Sequence, residues 1–254
     1  MARRATGTVS GIVHPRLSGL VPPLLSFIAG FVDSCGFLGL FGLFTAQVTG
    51  SFVVAGAELV TSEAGSALKL LAIPVYFVAA ALAGLLIRTI EQRGTPALPW
   101  VLLLDAALIG AFVVAGLVGS PMTNPDAPAA IVAGVTALSA MGVQSATARL
   151  LIRGAGPTTF MTGNTTQLAI DTVDFLLARA QARRDPGNRK LADRATGSRH
   201  RLVELARLLL GFLLGAAIGA ILFAAYGFIS AAVAITLTLA IAIWAFLGGA
   251  PRAG

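Results

Sequence analysis

The sequence predicts an all-α protein, a polytopic bundle of transmembrane helices arranged as two inverted repeats. Composition, long apolar runs and the placement of basic residues carry this prediction. Hydrophobic residues make up 56% of the 254 residues and only 11% are charged, against about a quarter in soluble domains. The mean hydropathy is +0.86. A soluble chain of this composition would lack the polar side chains needed to cover its surface.

Long apolar runs account for most of the chain. They occupy residues 20–32, 36–44, 70–87, 97–119, 127–148, 205–225 and 228–250. Several runs reach the roughly 20 residues that a helix needs to cross a bilayer. A membrane β-barrel would show short segments of alternating hydrophobicity instead.

Basic residues indicate how these runs are threaded. Segments 88–98, 149–156 and 179–204 are basic, whereas loop 119–127 contains no Lys or Arg. Basic segments face the cytoplasm by the positive-inside rule. All of them do so if the stretches after the first and fourth spans enter and leave the membrane on one side. This predicts six spans with both termini in the cytoplasm.

The two halves are related by inversion and by sequence. A cytoplasmic segment, 1–19, precedes the first repeat, 20–119, and the second repeat, 127–250, contains 179–204 as a basic cytoplasmic loop. The motifs Thr49-Gly50-Ser51 and Thr162-Gly163-Asn164 lie 113 residues apart, and the same offset relates Glu58 to Asp171. Weak internal symmetry of this kind is typical of duplicated transporter folds.

The two TG motifs predict broken or re-entrant elements within the membrane. Gly permits unusual backbone conformations, and Ser and Asn are good helix N-caps. Pro157 discourages helix before the second motif. A helix that starts inside the membrane presents free N–H groups and a positive dipole end to a polar or anionic ligand. The alternative is that these polar residues only hydrogen-bond neighbouring helices.

Facing half-helix ends predict a shared central site near the midplane. Gln47 and Gln144 either face that cavity or pair with a neighbouring helix. The predicted substrate-binding residues are Asp33, Gln47, Thr49, Gly50, Ser51, Gln144, Thr162, Gly163 and Asn164.

Three acidic residues are candidates for ion or proton coupling: Asp33, Glu58 and Asp171. Asp33 lies near the middle of the first span, where a carboxylate is expensive. Its candidate roles are proton carrier, cation ligand, partner of a substrate cation, or structural hydrogen bond to a broken-helix end. Glu58 and Asp171 lie two helical turns beyond the TG motifs, so either alternatively faces water at a membrane surface.

Other residues predict structural roles. Asp105, close to Trp100, is expected at the membrane interface. Three small residues spaced by four predict close helix packing: Gly211, Gly215 and Gly219. With Cys35 as the only cysteine and two histidines, no catalytic or metal set can be assembled. We therefore expect neither an enzyme nor a cofactor.

Two stretches, "FIAGFVDSCGF" and "GVQSA…FMTGNTTQLA", resemble the YoaK-like family of bacterial integral membrane proteins. Gly30 and Asp33 match its first motif, GxxD, and Gly142, Gln144 and Ala146 match its second, GxQxA. The second TGN is intact, whereas the first has Ser51 in place of Asn. The resemblance covers about residues 20–248. It implies a bacterial plasma-membrane protein and brings no known substrate.

The sequence favours a small secondary transporter or permease over a non-transporting membrane protein that binds a lipid or protein partner. The expected partners are the lipid bilayer and a small polar or anionic ligand, and a homo-oligomer is left open. Nucleic acid is not expected despite the net charge of +7, because the basic residues lie between apolar runs.

Topology can be tested by reporter fusions or cysteine labelling in whole cells. We expect 119–127 outside, and 88–98, 179–204 and both termini in the cytoplasm, because that arrangement places every basic segment inside. A reporter at 88–98 that lies outside would contradict both the re-entrant elements and the inverted repeat.

Overall fold

A computed structural model describes residues 19–61, 66–152, 161–184 and 189–248. Within these ranges the chain forms helices and no strand, so the predicted all-α class is confirmed. Pro157 and most of segment 1–19 lie outside the described residues.

The described helices are named in chain order, and prolines mark several of their starts. Pro22, Pro99 and Pro128 lie in the first positions of α1, α5 and α6, where a missing N–H costs nothing. A 3-10 turn, Gly227–Ala231, separates the last two helices. The α-helices are α1 Val21–Gly39, α2 Val48–Thr61, α3 Ser66–Leu70, α4 Ala72–Gln92, α5 Leu98–Gly119, α6 Pro128–Leu151, α7 Met161–Arg184, α8 Arg189–Tyr226 and α9 Ala232–Gly248.

Five stretches of the described chain are long and apolar enough to cross a membrane. Four of them are α1, α4, α5 and α6, and the fifth, Ala195–Gly248, contains most of α8, the 3-10 turn and α9. The most hydrophobic window of α6 is 67% buried and that of α1 61%, against 17% for α4. The bundle is therefore centred on α1 and α6, while α4 lies at its periphery.

Glycines bring α8 directly against the backbone of α1. A Cβ on Gly211 would lie 2.5 Å from the carbonyl oxygen of Pro23, and one on Gly219 would lie 2.8 Å from that of Phe31. Residue numbers rise together along both helices, so α1 and α8 run parallel. The close packing predicted for this glycine series is confirmed: Gly211, Gly215 and Gly219 all lie against α1.

A second parallel crossing joins α4 and α6. A Cβ on Gly142 would lie 2.7 Å from the carbonyl oxygen of Tyr76 and 3.2 Å from the amide nitrogen of Ala80. Near the beginning of α6, a Cβ on Gly134 would meet Leu68, just before α4. Numbers again rise together along the pair.

The helix directions fix where the segments that contain the two TG motifs begin and end. Helix α1 runs antiparallel to α6, since Leu25 contacts Gln144 whereas Leu43 lies near Gly134. Because α4 follows the direction of α6, and α8 that of α1, the segment from α1 to α4 starts and ends at one end of the bundle. The segment from α6 to α8 starts and ends at the opposite end.

The basic segment 179–204 is helical in its described residues, where the sequence predicts a loop. It continues α7 to Arg184 and forms the beginning of α8 from Arg189. Arg, Lys, Leu and Ala favour helix, which explains the difference. Helix α8 has 38 residues, roughly 57 Å at 1.5 Å per residue. A hydrocarbon core is about 30 Å thick, so the basic half of α8 extends beyond the membrane.

The α1–α8 crossing predicts a severe effect for Gly215→Ala. The added Cβ would overlap the carbonyl oxygen of Phe27, and overpacking typically costs about 1–3 kcal/mol. Gly110→Ala on α5 is the matched control, because nothing lies within 4 Å of its added Cβ. We expect thermal unfolding in detergent at a clearly lower temperature for Gly215→Ala alone. Equal unfolding temperatures for both variants would contradict this crossing.

Candidate functional site

The chain breaks sharply after α1. Phe41 has a φ of 55° and Gly42 a φ of 81°, and the amide of Gly42 donates to the carbonyl oxygen of Phe37. A left-handed conformation is uncommon for a bulky residue and marks a constrained position. The predicted break therefore exists, and it precedes the first TG motif by several residues.

The carboxylate of Asp33 fastens this break to α1. Its Oδ1 accepts the backbone N–H groups of Thr45 and Ala46 at 2.6 and 2.7 Å, and the hydroxyl of Thr45 at 3.3 Å. Asp33 is only 4% exposed. Free N–H groups at a helix start need an acceptor when water is excluded. Of the roles expected for Asp33, these contacts match the structural hydrogen bond to a broken-helix end.

Both TG motifs lie in helices. Thr49-Gly50-Ser51 are the second to fourth residues of α2, and Thr162-Gly163-Asn164 lie in the first described turn of α7. Ser51 therefore lies inside α2, so its predicted N-cap position is wrong. Its hydroxyl instead accepts the N–H of Phe44 at 3.0 Å and donates to the carbonyl oxygen of Phe44 at 2.9 Å. Ser51 thus holds the broken segment against the helix that follows it.

Both helices bury the same stripe. The predicted shared face of Ser51 with Glu58, and of Asn164 with Asp171, is confirmed by their burial, since seven residues span about two turns. The buried residues of α2 are Val48, Ser51, Ala55 and Glu58, and those of α7 are Met161, Asn164, Asp171 and Ala178. The first two and the last member of the α2 set recur in α7 at the offset of 113.

Glu58 is closed off by a basic partner. Its Oε1 accepts a hydrogen bond from the ammonium group of Lys69, and the two side chains are 10% and 2% exposed. Lys69 lies on α3, directly before α4. The alternative in which Glu58 faces water at a membrane surface is therefore wrong: this is a buried ion pair within the α2–α3 hairpin.

Asp171 has an equivalent partner at the other end of the bundle. The Nε of Arg201 on α8 lies 3.2 Å from its Oδ1. The side chain of Asp171 is 3% exposed and that of Arg201 54%. The water-facing alternative is wrong here too, because α8 covers this acid. Each TG helix thus carries an acid that pairs with a basic residue on the chain leading into the next apolar span.

The remaining candidates differ in their surroundings. Gln144 is fully buried, and its Nε2 donates to the carbonyl oxygen of Leu25 at 2.7 Å, which matches the helix-pairing alternative. Gln47 is half-buried, and its main-chain carbonyl oxygen accepts the N–H of Gly50 at 2.8 Å. Asp105 is 0% exposed, so its side chain is buried by neighbouring helices, and its predicted interfacial depth stays a prediction. It lies on the stripe of α5 that packs into the bundle.

The structure groups the candidates into two regions. Helix α2 packs against α3 and α4, whereas α7 packs against α8, and no extended contact joins α2 to α7 in the described ranges. The facing arrangement of the two TG motifs across one cavity stays a prediction. Within the same ranges, no three His, Cys, Asp or Glu side chains approach closely enough to hold a metal ion.

Sequence reasoning missed Lys69 and Arg201 as partners of the two acids. A signal for Lys69 was available, since it is an isolated charge at the edge of the apolar run 70–87. Arg201 is one of many basic residues in 179–204, so its spacing did not single it out.

The role of Asp33 predicts a large stability loss for Asp33→Ala. The substitution leaves the N–H groups of Thr45 and Ala46 without their acceptor, at about 1–3 kcal/mol for each buried group. Asp33→Asn retains one oxygen and should lose less. Asp126→Asn, at an exposed loop position, is the control and should leave the unfolding temperature in detergent unchanged. Wild-type stability of Asp33→Ala would show that this carboxylate does not hold the break.

Comparison with known proteins agrees with this architecture only at the level of family. No curated protein and no solved structure matches the chain. The family model described as "Protein of unknown function (DUF1275)" matches residues 22–244, a range that contains both TG helices, both ion pairs and Asp33. The chain therefore belongs to the DUF1275 family, which is described as being of unknown function.

Proposed function

We propose that the protein is a small secondary transporter or permease of the bacterial plasma membrane. It has six spans in two inverted three-helix repeats, with both termini in the cytoplasm. The observation that carries this proposal is that the two related acids each have a basic partner, Glu58 with Lys69 and Asp171 with Arg201, at opposite ends of one bundle.

The helix directions support the repeat. In the first repeat α1, α4 and α5 are the spans, and in the second they are α6, the apolar half of α8, and α9. This assignment matches α1 with α6 and α4 with α8. The parallel crossing of α1 with α8 then corresponds to the parallel crossing of α6 with α4. Each crossing joins the first span of one repeat to the second span of the other, which supports a two-fold relation of the kind found in inverted-repeat transporters.

The ion pairs act as two gates in this proposal. Both acids are buried, so losing the basic partner leaves an uncompensated charge, although Lys69 is itself buried whereas the side chain of Arg201 is 54% exposed. Glu58 with Lys69 closes the α2 stripe at one end, and Asp171 with Arg201 closes the α7 stripe at the other. Opening the Glu58–Lys69 gate would expose Ser51, and opening the Asp171–Arg201 gate would expose Asn164. Opening them one at a time would give alternating access.

The proposed substrate is a small polar or anionic molecule. The polar residues on the buried stripes, Ser51 and Asn164, supply hydroxyl and amide groups, and nearby Thr and Gly residues supply backbone contacts. The full set of proposed contacts is Gln47, Thr49, Gly50, Ser51, Thr162, Gly163 and Asn164. No catalytic group is assigned, so the proposal is transport rather than chemistry.

Thiol labelling tests alternating access without knowledge of the substrate. In a Cys35→Ala background, Ser51→Cys and Asn164→Cys each provide one thiol on a buried stripe. We expect a membrane-impermeant reagent to label the first chain from outside and the second from the cytoplasm. Adding Lys69→Ala should increase labelling at position 51 and decrease it at position 164. Loss of the Glu58–Lys69 pair opens the outer gate, and alternating access then favours closure of the inner gate formed by Asp171 and Arg201. Ala148→Cys, in the core of α6 and 1% exposed, is the unlabelled control.

Two outcomes would contradict the proposal. Labelling of both positions from the same side would remove the inversion. Labelling at position 164 that does not respond to Lys69→Ala would leave the two ion pairs as independent structural contacts.

A second candidate function, lipid binding without transport, is favoured by one observation. A groove of about 700 Å³ lies between α4, α5 and α6, and Ser139 is the one side chain with a hydroxyl or charge among its lining residues, which include Val78, Leu82 and Leu104. Such a lining suits an acyl chain. A lipid that stays bound through purification, together with complete protection of positions 51 and 164 from both sides, would favour this function.

A further inference from the structure

The interior of the bundle contains acceptor oxygens without donors. In the described part of the chain, the two carboxylate oxygens of Asp105 have no hydrogen-bond partner. The same is true of Oε1 of Gln144. Both residues are 0% exposed. Leaving such groups unpaired away from water is unfavourable for a neutral group and more so for a charge. A donor is therefore missing from this region.

The helix register brings these two side chains to the same level. Helices α5 and α6 run antiparallel, with Gly119 against Ala129 where they begin to pair. Fourteen residues from that contact along each helix place Asp105 level with Val143, the neighbour of Gln144. Val101 lies one turn before Asp105 on α5. It belongs to the same apolar cluster as Val143 on α6, which supports this register.

No counter-charge faces Asp105 from the described parts of the neighbouring helices. The 3-10 turn and α9 carry no charged residue, and α6 and α4 carry theirs near their C-terminal ends, at Arg149, Arg88 and Glu91. The hydroxyl of Tyr76 on α4 donates to Ser145, and Asp33 on α1 is held by the broken segment. An ionised Asp105 would thus be a buried charge without compensation, which is strongly unfavourable.

We infer that Asp105 is a proton-binding site, with the amide oxygen of Gln144 as acceptor of the acidic hydrogen. The proton supplies the missing donor and removes the buried charge in one step. A divalent metal ion would need about six oxygen ligands, which the apolar surroundings do not offer. In a transporter this proton would be the coupling ion. That role rests on the proposed function, whereas proton binding itself does not.

Infrared spectroscopy of the purified chain in detergent at neutral pH tests the site. We expect a carbonyl band of a protonated carboxylic acid that shifts in heavy water. Asp105→Asn should abolish the band. Asp33→Asn, the matched control, should retain it, because Asp33 accepts N–H donors and needs no proton. In Gln144→Leu the band should persist but move to higher frequency, since the acid loses its acceptor.

The pH dependence of unfolding gives a second readout. An unfolded chain releases an Asp proton above about pH 4, whereas the folded chain holds this one. Each further pH unit should therefore raise the unfolding equilibrium constant of the wild type tenfold relative to Asp105→Asn, until the folded site also deprotonates.

Several results would overturn the inference. Absence of the acid band from the wild-type spectrum would overturn it without any need for a variant that folds. Persistence of the band in Asp105→Asn, or parallel pH profiles, would also overturn it. The inference would also be overturned if sodium chloride stabilised the wild type more than choline chloride did, with no such difference for Asp105→Asn. That result would identify a bound sodium ion in place of the proton. Failure of the alternating labelling with an intact acid band would remove only the transport role.

Discussion

The carboxylate of Asp33 holds the least regular part of the molecule in place. Backbone groups that are not in a helix cannot lie in a membrane unless the protein itself satisfies them. By accepting the N–H groups of Thr45 and Ala46, Asp33 lets the chain leave α1, turn, and enter α2 without exposing bare amides. Ser51 adds a second fastening through Phe44. The position of the first TG helix, and of the acid it carries, depends on these contacts.

Much of the architecture follows from the sequence because membranes impose few solutions on an apolar chain. Run length predicts helices such as α4, α5 and α6, and the glycines of α8 predict its close packing. The offset of 113 between the TG motifs predicts that Ser51 and Asn164 take matching places. Helix ends were less accessible: α2 starts before Ser51, because the true break is the left-handed pair Phe41 and Gly42, which no simple capping pattern reveals.

The acidic residues were harder to rank from sequence. Depth within a span can be estimated from residue counts, but hydrogen-bond partners cannot. Asp33 is an isolated carboxylate in an apolar run, yet the fold gives it donors, and Glu58 and Asp171 receive basic partners. Asp105 looks interfacial because Trp100 is close, yet it faces the interior. A small rotation of the helix about its axis decides whether such a side chain faces the interior or the surface. In a helix that is apolar all round, hydrophobic periodicity is too weak to predict that rotation.

The glycine crossing between α1 and α8 has a mechanical consequence. Where a backbone rests on another backbone, as at Gly211 and Gly219, neither helix can rotate or slide without a collision of main-chain atoms. These two helices are therefore expected to move as one rigid unit, which extends from the basic half of α8 to the end of α1. A displacement of one end of this pair would therefore move its other end as well, where α1 gives way to the left-handed turn at Phe41 and Gly42.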